Sequence, residues 1–264
     1  MTKSVQMEDV QGSLDTRQIP INRVGIKDIQ HPITVLNRDG SKSASIATFS
    51  MSVSLPHDQK GTHMSRFLQM LNETETVISA KSFHKMLAAM VERLEADSGY
   101  IELQFTYFME KVAPVSGVKS LMDYQVNLMG QIEHGHLAST LEITIPVKSL
   151  CPCSKKISEY GAHNQRSHIT VGVNCTSKLW LDDIIKSVES QASAELFAIL
   201  KRPDEKFITE RAYNNPKFVE DVVRDVANEF DNIDHISRYY VHAENFESIH
   251  NHSAFAVIEH DKTL

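Results

Sequence analysis

The feature that most constrains this chain is an order of elements that occurs twice. A short strand is expected near Ile33-Val35, then a turn at Asp39-Gly40. A longer strand follows, carrying Phe49, Met51, Val53 and Leu55 on one face. Met64, Phe67, Leu68 and Leu71 recur at helical spacing, as do Phe83, Met86, Leu87, Met90, Val91 and Leu94, with Gly99 placed to stop that helix. Ile101 to Met109 alternate as a strand, and so do Tyr124, Val126 and Leu128. His134-Gly135-His136 marks a junction, after which the pattern returns. Leu141 to Val147 and Ile169 to Val173 alternate. Leu181, Ile184, Ile185, Val188, Ala192 and Leu196 share a helix face. Asn215-Pro216 suits a second helix start, with Phe218, Val222, Val226 and Phe230 on its apolar side. Strands around Ile236-Val241 and Ala254-Ile258 complete the copy.

Two β-β-α-α-β-β modules in tandem imply an α+β fold, each module an antiparallel sheet with helices on one face. The expected division is a polar arm over 1–28, a first module over 29–134 and a second over 135–264. Such sheets leave edges and a face uncovered, which predicts side-by-side assembly of copies, with sites where modules meet.

Charge and cysteine usage narrow the function. A formal charge of −7 argues against a general nucleic-acid binder, while leaving room for an anionic small molecule held by a local basic cluster. No apolar run approaches membrane-spanning length, and the N-terminus lacks the apolar core of a signal peptide. Three cysteines, two of them at 151 and 153, do not make a disulfide framework. A cytoplasmic, reducing setting is expected.

Four polar clusters carry candidate chemistry. Cys151 directly follows one alternating run and His163 directly precedes the next, so a thiol and an imidazole sit on two strand ends, where ordered backbone would hold them as half of a metal site. Cys153 lies across Pro152, so one of the two cysteines is the ligand or nucleophile and the other packs; Cys175 continues a core face. The segment Glu244 to His252 puts Glu247, His250 and His252 together, with both imidazoles on one face if the segment is extended, suited to metal binding or proton shuttling. A solvated hairpin tip is the plainer reading. Arg202-Pro203-Asp204-Glu205-Lys206 reads as a charged loop between helices. Glu220, early in its helix, is ordinary dipole matching or an anchor for paired N–H donors such as the guanine edge. His63, Ser65 and Arg66 precede or open a helix, as surface groups or as a polyphosphate cradle.

Together these pieces resemble the type IB GTP cyclohydrolases. The matching segments are Gly61 to Phe67, Ser149 to Lys155, Gly161 to Ser167, Arg202 to Lys206, Asn215 to Asp221 and Glu247 to Ala254. The resemblance implies the tunnelling fold in tandem, a homotetramer with active sites at subunit interfaces, and conversion of GTP and water to 7,8-dihydroneopterin triphosphate and formate. It implies Cys151, His163 and Glu205 as metal ligands and Glu247, His250 and His252 as the polar catalytic set, with Cys151 itself a catalytic group. It further implies Glu220 as the purine anchor. The metal it implies is divalent: zinc, manganese or iron, with magnesium a further candidate. His63, Ser65, Arg66 and Arg166 are candidates for the substrate's phosphates.

Two neighbouring chemistries compete. In a tunnelling-fold nitrile reductase Cys151 would be a nucleophile working with NADPH and no metal. An archaeal-type cyclohydrolase would give a cyclic phosphate product. A non-catalytic metal-binding protein would leave Glu220 and the His63 to Arg66 segment without a shared purpose.

Overall fold

The computed structural model describes residues 9–73, 77–175 and 179–263. The first eight residues of the expected arm lie outside it. Its elements run β1 (Ile21–Leu36), β2 (Lys42–Leu55), α1 (Met64–Glu73), β3 (Val77–Ile78), α2 (Ala80–Arg93), β4 (Ser98–Val112), β5 (Lys119–Glu133) and β6 (His136–Leu150). Then come α3 (Pro152–Ile157), β7 (Asn164–Cys175), α4 (Leu181–Gln191), β8 (Ala194–Glu195), α5 (Arg202–Asn214), α6 (Val219–Asp231), β9 (Ile236–Asn245) and β10 (Ala254–Asp261).

The chain packs into two compact units. One comprises the described residues of Met1–Leu36, Ala44–Gln104 and Met129–Ser139; the other comprises Asn37–Ser43, Phe105–Leu128 and the described residues of Thr140–Leu264. Strands β4, β5 and β6, and the first two residues of β2, are divided between the two.

In the first unit the strand order is β5-β4-β2-β1-β3. Strand β1 begins at Ile21, well upstream of the Ile33-Val35 expected, because its first half is exposed and lacks the alternation that marks a half-buried strand. Ser79 caps α2 by accepting from the Ser82 amide at 3.1 Å, and Ser82 Oγ accepts in return from the Ser79 amide at 2.8 Å. Phe83, Met86, Leu87 and Met90 then face inward. Gly99 does not end this helix. Leu94 is its C-cap, Glu95 takes the left-handed turn at φ 54°, and Gly99 sits in β4. A side chain at Gly99 would lie 2.6 Å from Val91 Cγ2, so the glycine lets α2 lie close on the strand. On α1, Phe67, Met70 and Leu71 are buried, whereas Met64 and Leu68, expected on that face, are exposed.

In the second unit the order is β10-β9-β7-β6-β5-β4, with β8 also paired to β6. Val222, Val223, Val226 and Phe230 of α6 cover the sheet, and the Phe230 ring meets Tyr239 edge-on at 5.5 Å. Three expectations shift here. The helix expected to run on to Leu196 stops at Gln191, because Ala194 and Glu195 pair with Lys148 and Val147. The Arg202 to Lys206 stretch is not a loop but the first turn of α5. Asn215 caps the C-terminal end of α5 rather than starting the next helix; α6 begins at Val219, where Asp221 accepts from the Phe218 amide at 2.9 Å.

Asp204 explains why that charged stretch folds as a helix. It is fully buried. Its carboxylate accepts from the amides of Lys201, Val115 and Ser116, each at 2.8 Å, and from the Ser116 hydroxyl at 2.6 Å. Burial alone would raise its carboxyl, but the hydroxyl and amide of Ser116 and the amides of Lys201 and Val115 outweigh it and hold Asp204 well below the usual carboxylate range. The unit also buries an ion pair, Lys111 with Glu189, whose second oxygen accepts from Tyr124 Oη at 2.9 Å. Among the described residues no helix is long and apolar enough to cross a membrane.

Candidate active site

Sheet register places the candidate residues. Leu150 pairs with Asn164 across β6 and β7, Ser167 pairs with Asn245 across β7 and β9, and Asn245 pairs with Ala254 across β9 and β10. The β6–β7 connection (151–163) and the β9–β10 connection (246–253) therefore leave the sheet at the same end, side by side. The Phe246 amide donates to Arg166 O at 3.1 Å, tying the two connections together.

Cys151 and His163 face each other across the mouth of the first connection, the Cys151 amide donating to His163 O at 3.2 Å. Cys151 caps α3, its sulfur accepting from the Ser154 amide at 3.5 Å. Ser154 Oγ in turn accepts from the His163 amide at 3.2 Å, which closes the loop onto itself. Cys153 is exposed, and burial pushes the Cys175 thiol up to about 11. Of the two neighbouring cysteines, Cys151 is thus the one whose backbone pairs with His163.

The second connection is a run of bends rather than an extended strand, so strand alternation is not what brings His250 and His252 together. Their rings nevertheless lie 5.2 Å apart, and His250 lies 6.5 Å from the His163 ring. Glu247 sits between them. Its Oε2 is 3.8 Å from His250 Nδ1 and 3.9 Å from His163 Nδ1, and its side chain is only 13% exposed. Three imidazoles and a carboxylate from two connections thus form one cluster, suited to holding and moving protons.

Two residues in this cluster carry no obvious motif. Gln165 is buried; its Oε1 is 3.1 Å from His163 Nδ1 and its Nε2 donates to Glu247 Oε1 at 3.3 Å. Ser248 Oγ lies 3.5 Å from His163 Nδ1. Behind them Ser167 donates to Asn245 Oδ1 at 2.6 Å and lies 2.7 Å from Ser149 Oγ, all three buried. The available signal was alternation: Gln165 and Ser167 continue the inward face of Ile169, Val171 and Val173, where polar side chains call for partners.

The other candidates are spread out. Glu220 is exposed in the first turn of α6, three residues past Lys217, whose amide donates to Leu150 O at 3.2 Å; it is therefore carried at the same end of the sheet as Cys151. Glu205 is exposed in the first turn of α5. The far end of that helix meets the Cys151 loop, where Tyr213 O accepts from Lys155 Nζ; the helix rise between Glu205 and Tyr213 is about 12 Å. Arg166 is exposed on β7, and Lys155 lies over the Tyr213 ring at 4.3 Å. In the first unit, His63 Nε2 is 3.2 Å from Asp9 Oδ2, Arg66 donates to Arg93 O at 3.3 Å and Ser65 is exposed.

Cys151 and His163 are a soft sulfur and an imidazole, donor types that suit a divalent ion. His163 Nδ1 lies 3.1 Å from Gln165 Oε1, and a partner of that kind on one ring nitrogen, leaving Nε2 for a metal, is the arrangement metal-ligating histidines adopt. Among the described residues no three His, Cys, Asp or Glu side chains are gathered closely enough to hold an ion. Among the described residues the pair is therefore not closed into a three-ligand cage.

The fold defines the class first. It is a mixed α/β fold, a largely antiparallel sheet with helices on one side, similar to that of urate oxidases. A hyperthermostable mutant of the Bacillus sp. TB-90 enzyme aligns with a TM-score of 0.52 at 8% identity, covering 92% of this chain and 99% of that one. The Arthrobacter globiformis uricase aligns with a TM-score of 0.51 at 9% identity, covering 90% and 93%. At that identity the likeness is one of fold alone. Sequence goes further. Residues 7–256 match the family described as Type I GTP cyclohydrolase folE2. The chain is 60% identical over 255 residues to GTP cyclohydrolase FolE2 of Nitrosomonas eutropha, covering 96% of each chain. It is also 60% identical over 259 residues to that of Thiobacillus denitrificans, covering 98% of this chain and 96% of the other. The chain belongs to the type I GTP cyclohydrolase FolE2 family.

Proposed function

We propose that the protein is a GTP cyclohydrolase of folate biosynthesis, of the type IB branch. It would convert GTP and water to 7,8-dihydroneopterin triphosphate and formate. The observation that carries the site assignment is the convergence of Glu247, His250 and His252 on His163 beside Cys151 at one end of the sheet. Opening a purine imidazole ring needs a proton at N7, water at C8 and several later proton transfers. A cluster of imidazoles around one carboxylate supplies such a relay.

In this reading Cys151 and His163 hold a divalent ion, zinc, manganese, iron or magnesium, with Glu205 as third ligand. When bound, the ion supplies Lewis acidity to water and substrate at C8. A single thiolate among nitrogen and oxygen donors makes the site less zinc-selective than a thiolate-rich one. His250 or His252 gives its proton to N7, and Glu247, 3.8 Å from His250 Nδ1, orients that imidazole. Glu220 accepts from the N1–H and amino group of guanine. His63, Ser65, Arg66 and Arg166 take the phosphates.

The same reading makes the fold a tandem of tunnelling-fold modules, 29–134 and 135–264 after an arm over 1–28, assembled as a homotetramer in the cytoplasm. Two observations support assembly. Strand β10 ends the sheet order with Phe255 69% and Val257 47% exposed, an apolar edge that a second copy would cover. Glu205, Glu220 and Arg166 are exposed, as groups completing a site from two chains would be.

The test is purified protein with GTP and a panel of divalent ions, following formate and the fluorescent oxidised pterin. Metal-dependent release of both in equal amounts is expected. GTP left intact with every ion, or NADPH oxidation in the presence of a strong chelator, would refute the reading.

A further inference from the structure

We infer that Gln165 is a positioning residue that sets the tautomer of His163 and the orientation of Glu247 with one amide group. The inference rests on the proposed function and deepens it. The Glu247 carboxylate only accepts, so the Gln165 atom 3.3 Å from its Oε1 is the amide nitrogen. That fixes the flip of the amide and points Oε1 at His163 Nδ1, 3.1 Å away. An amide oxygen only accepts, so His163 carries its hydrogen on Nδ1 and presents an unprotonated Nε2. One side chain thereby turns the position of the proton-handling carboxylate into the donor state of the metal-binding imidazole.

The placement is rigid. Gln165 is 8% exposed on β7, opposite Ser149 in the β6–β7 register and two residues before Ser167, whose hydroxyl is held by Asn245. A long polar side chain at an inward strand position, with both ends of its amide engaged, has no freedom to serve solvent instead. Its two halves do different things: the oxygen acts on His163 and the nitrogen on Glu247.

That division makes the inference testable with two variants of nearly the same shape. Gln165→Leu removes both contacts. Gln165→Glu keeps an acceptor for His163 Nδ1 but replaces the donor to Glu247 with a second carboxylate. Cobalt(II) alone is the probe, titrated through its thiolate charge-transfer absorption in the full-length protein, with folding checked by near-UV circular dichroism. Q165L is expected to bind cobalt about 10- to 100-fold more weakly, the usual cost of losing a partner to a metal-ligating histidine. Q165E is expected to bind it within a few-fold of wild type while kcat falls and KM for GTP stays unchanged. Wild-type cobalt affinity in Q165L, or equal loss of affinity in both variants, would overturn the inference. A wild-type protein that binds no cobalt or leaves GTP intact would instead refute the functional reading on which it rests.

Discussion

Glu247 lies within 4 Å of two imidazoles and takes a hydrogen bond from Gln165, so one carboxylate gathers most of the polar groups at the sheet end. Glu220 stands apart from that cluster, exposed at the start of α6. Its assigned work is with the ligand, not with the metal. Glu220→Ala should therefore weaken GTP binding by roughly 10- to 100-fold, the worth of one or two charge-assisted hydrogen bonds, and leave metal affinity unchanged. Parallel titrations with GTP and with manganese check this, and unchanged GTP affinity would remove Glu220 from the anchor role. At this scale the sequence was informative where chemistry is rare. A cysteine and a histidine at two strand ends, and two histidines beside a glutamate, are conspicuous. Gln165, Ser167 and Asn245 were not, because amides and hydroxyls are common and only their burial against one another gives them a role.

The strands were largely legible from alternation, and α1, α2 and α6 from apolar spacing. Helix α5 was not. Its sequence is too charged to show an apolar stripe, and only Asp204, Ile208 and Ala212 turn inward. What anchors it is Asp204, bonded to the turn at Val115 and Ser116 far away in sequence, a contact no local pattern reveals. The electrostatics gives this element a pH signature. The folded carboxyl is held below its ordinary value, so the unfolded chain binds the proton more readily. The contribution is present above the unfolded pKa of about 4 and is lost as pH falls through the folded value. Thermal melts of wild type and Asp204→Asn between pH 6 and pH 2.5 should show a lower Tm for the variant at pH 6 and a gap that narrows on acidification. A gap independent of pH would mean that Asp204 acts by shape rather than charge.

For the whole molecule, family membership and sheet topology are separate findings, and the topology is what brings the candidate residues together. The chain is 60% identical to FolE2 relatives across nearly its full length, and its fold is similar to that of urate oxidase. The β6–β7 and β9–β10 connections are far apart in sequence and meet only because β7 pairs with both β6 and β9. The account depends on Cys151 contributing its sulfur to that meeting point. Formate release by Cys151→Ala, measured against wild type at equal folded concentration with GTP and saturating metal, tests it most directly. Loss of several kcal/mol of charge stabilisation predicts a fall of ~10³-fold or more, with circular dichroism and hydrodynamic size unchanged. Formate release by a folded Cys151→Ala protein at the wild-type rate would contradict the account.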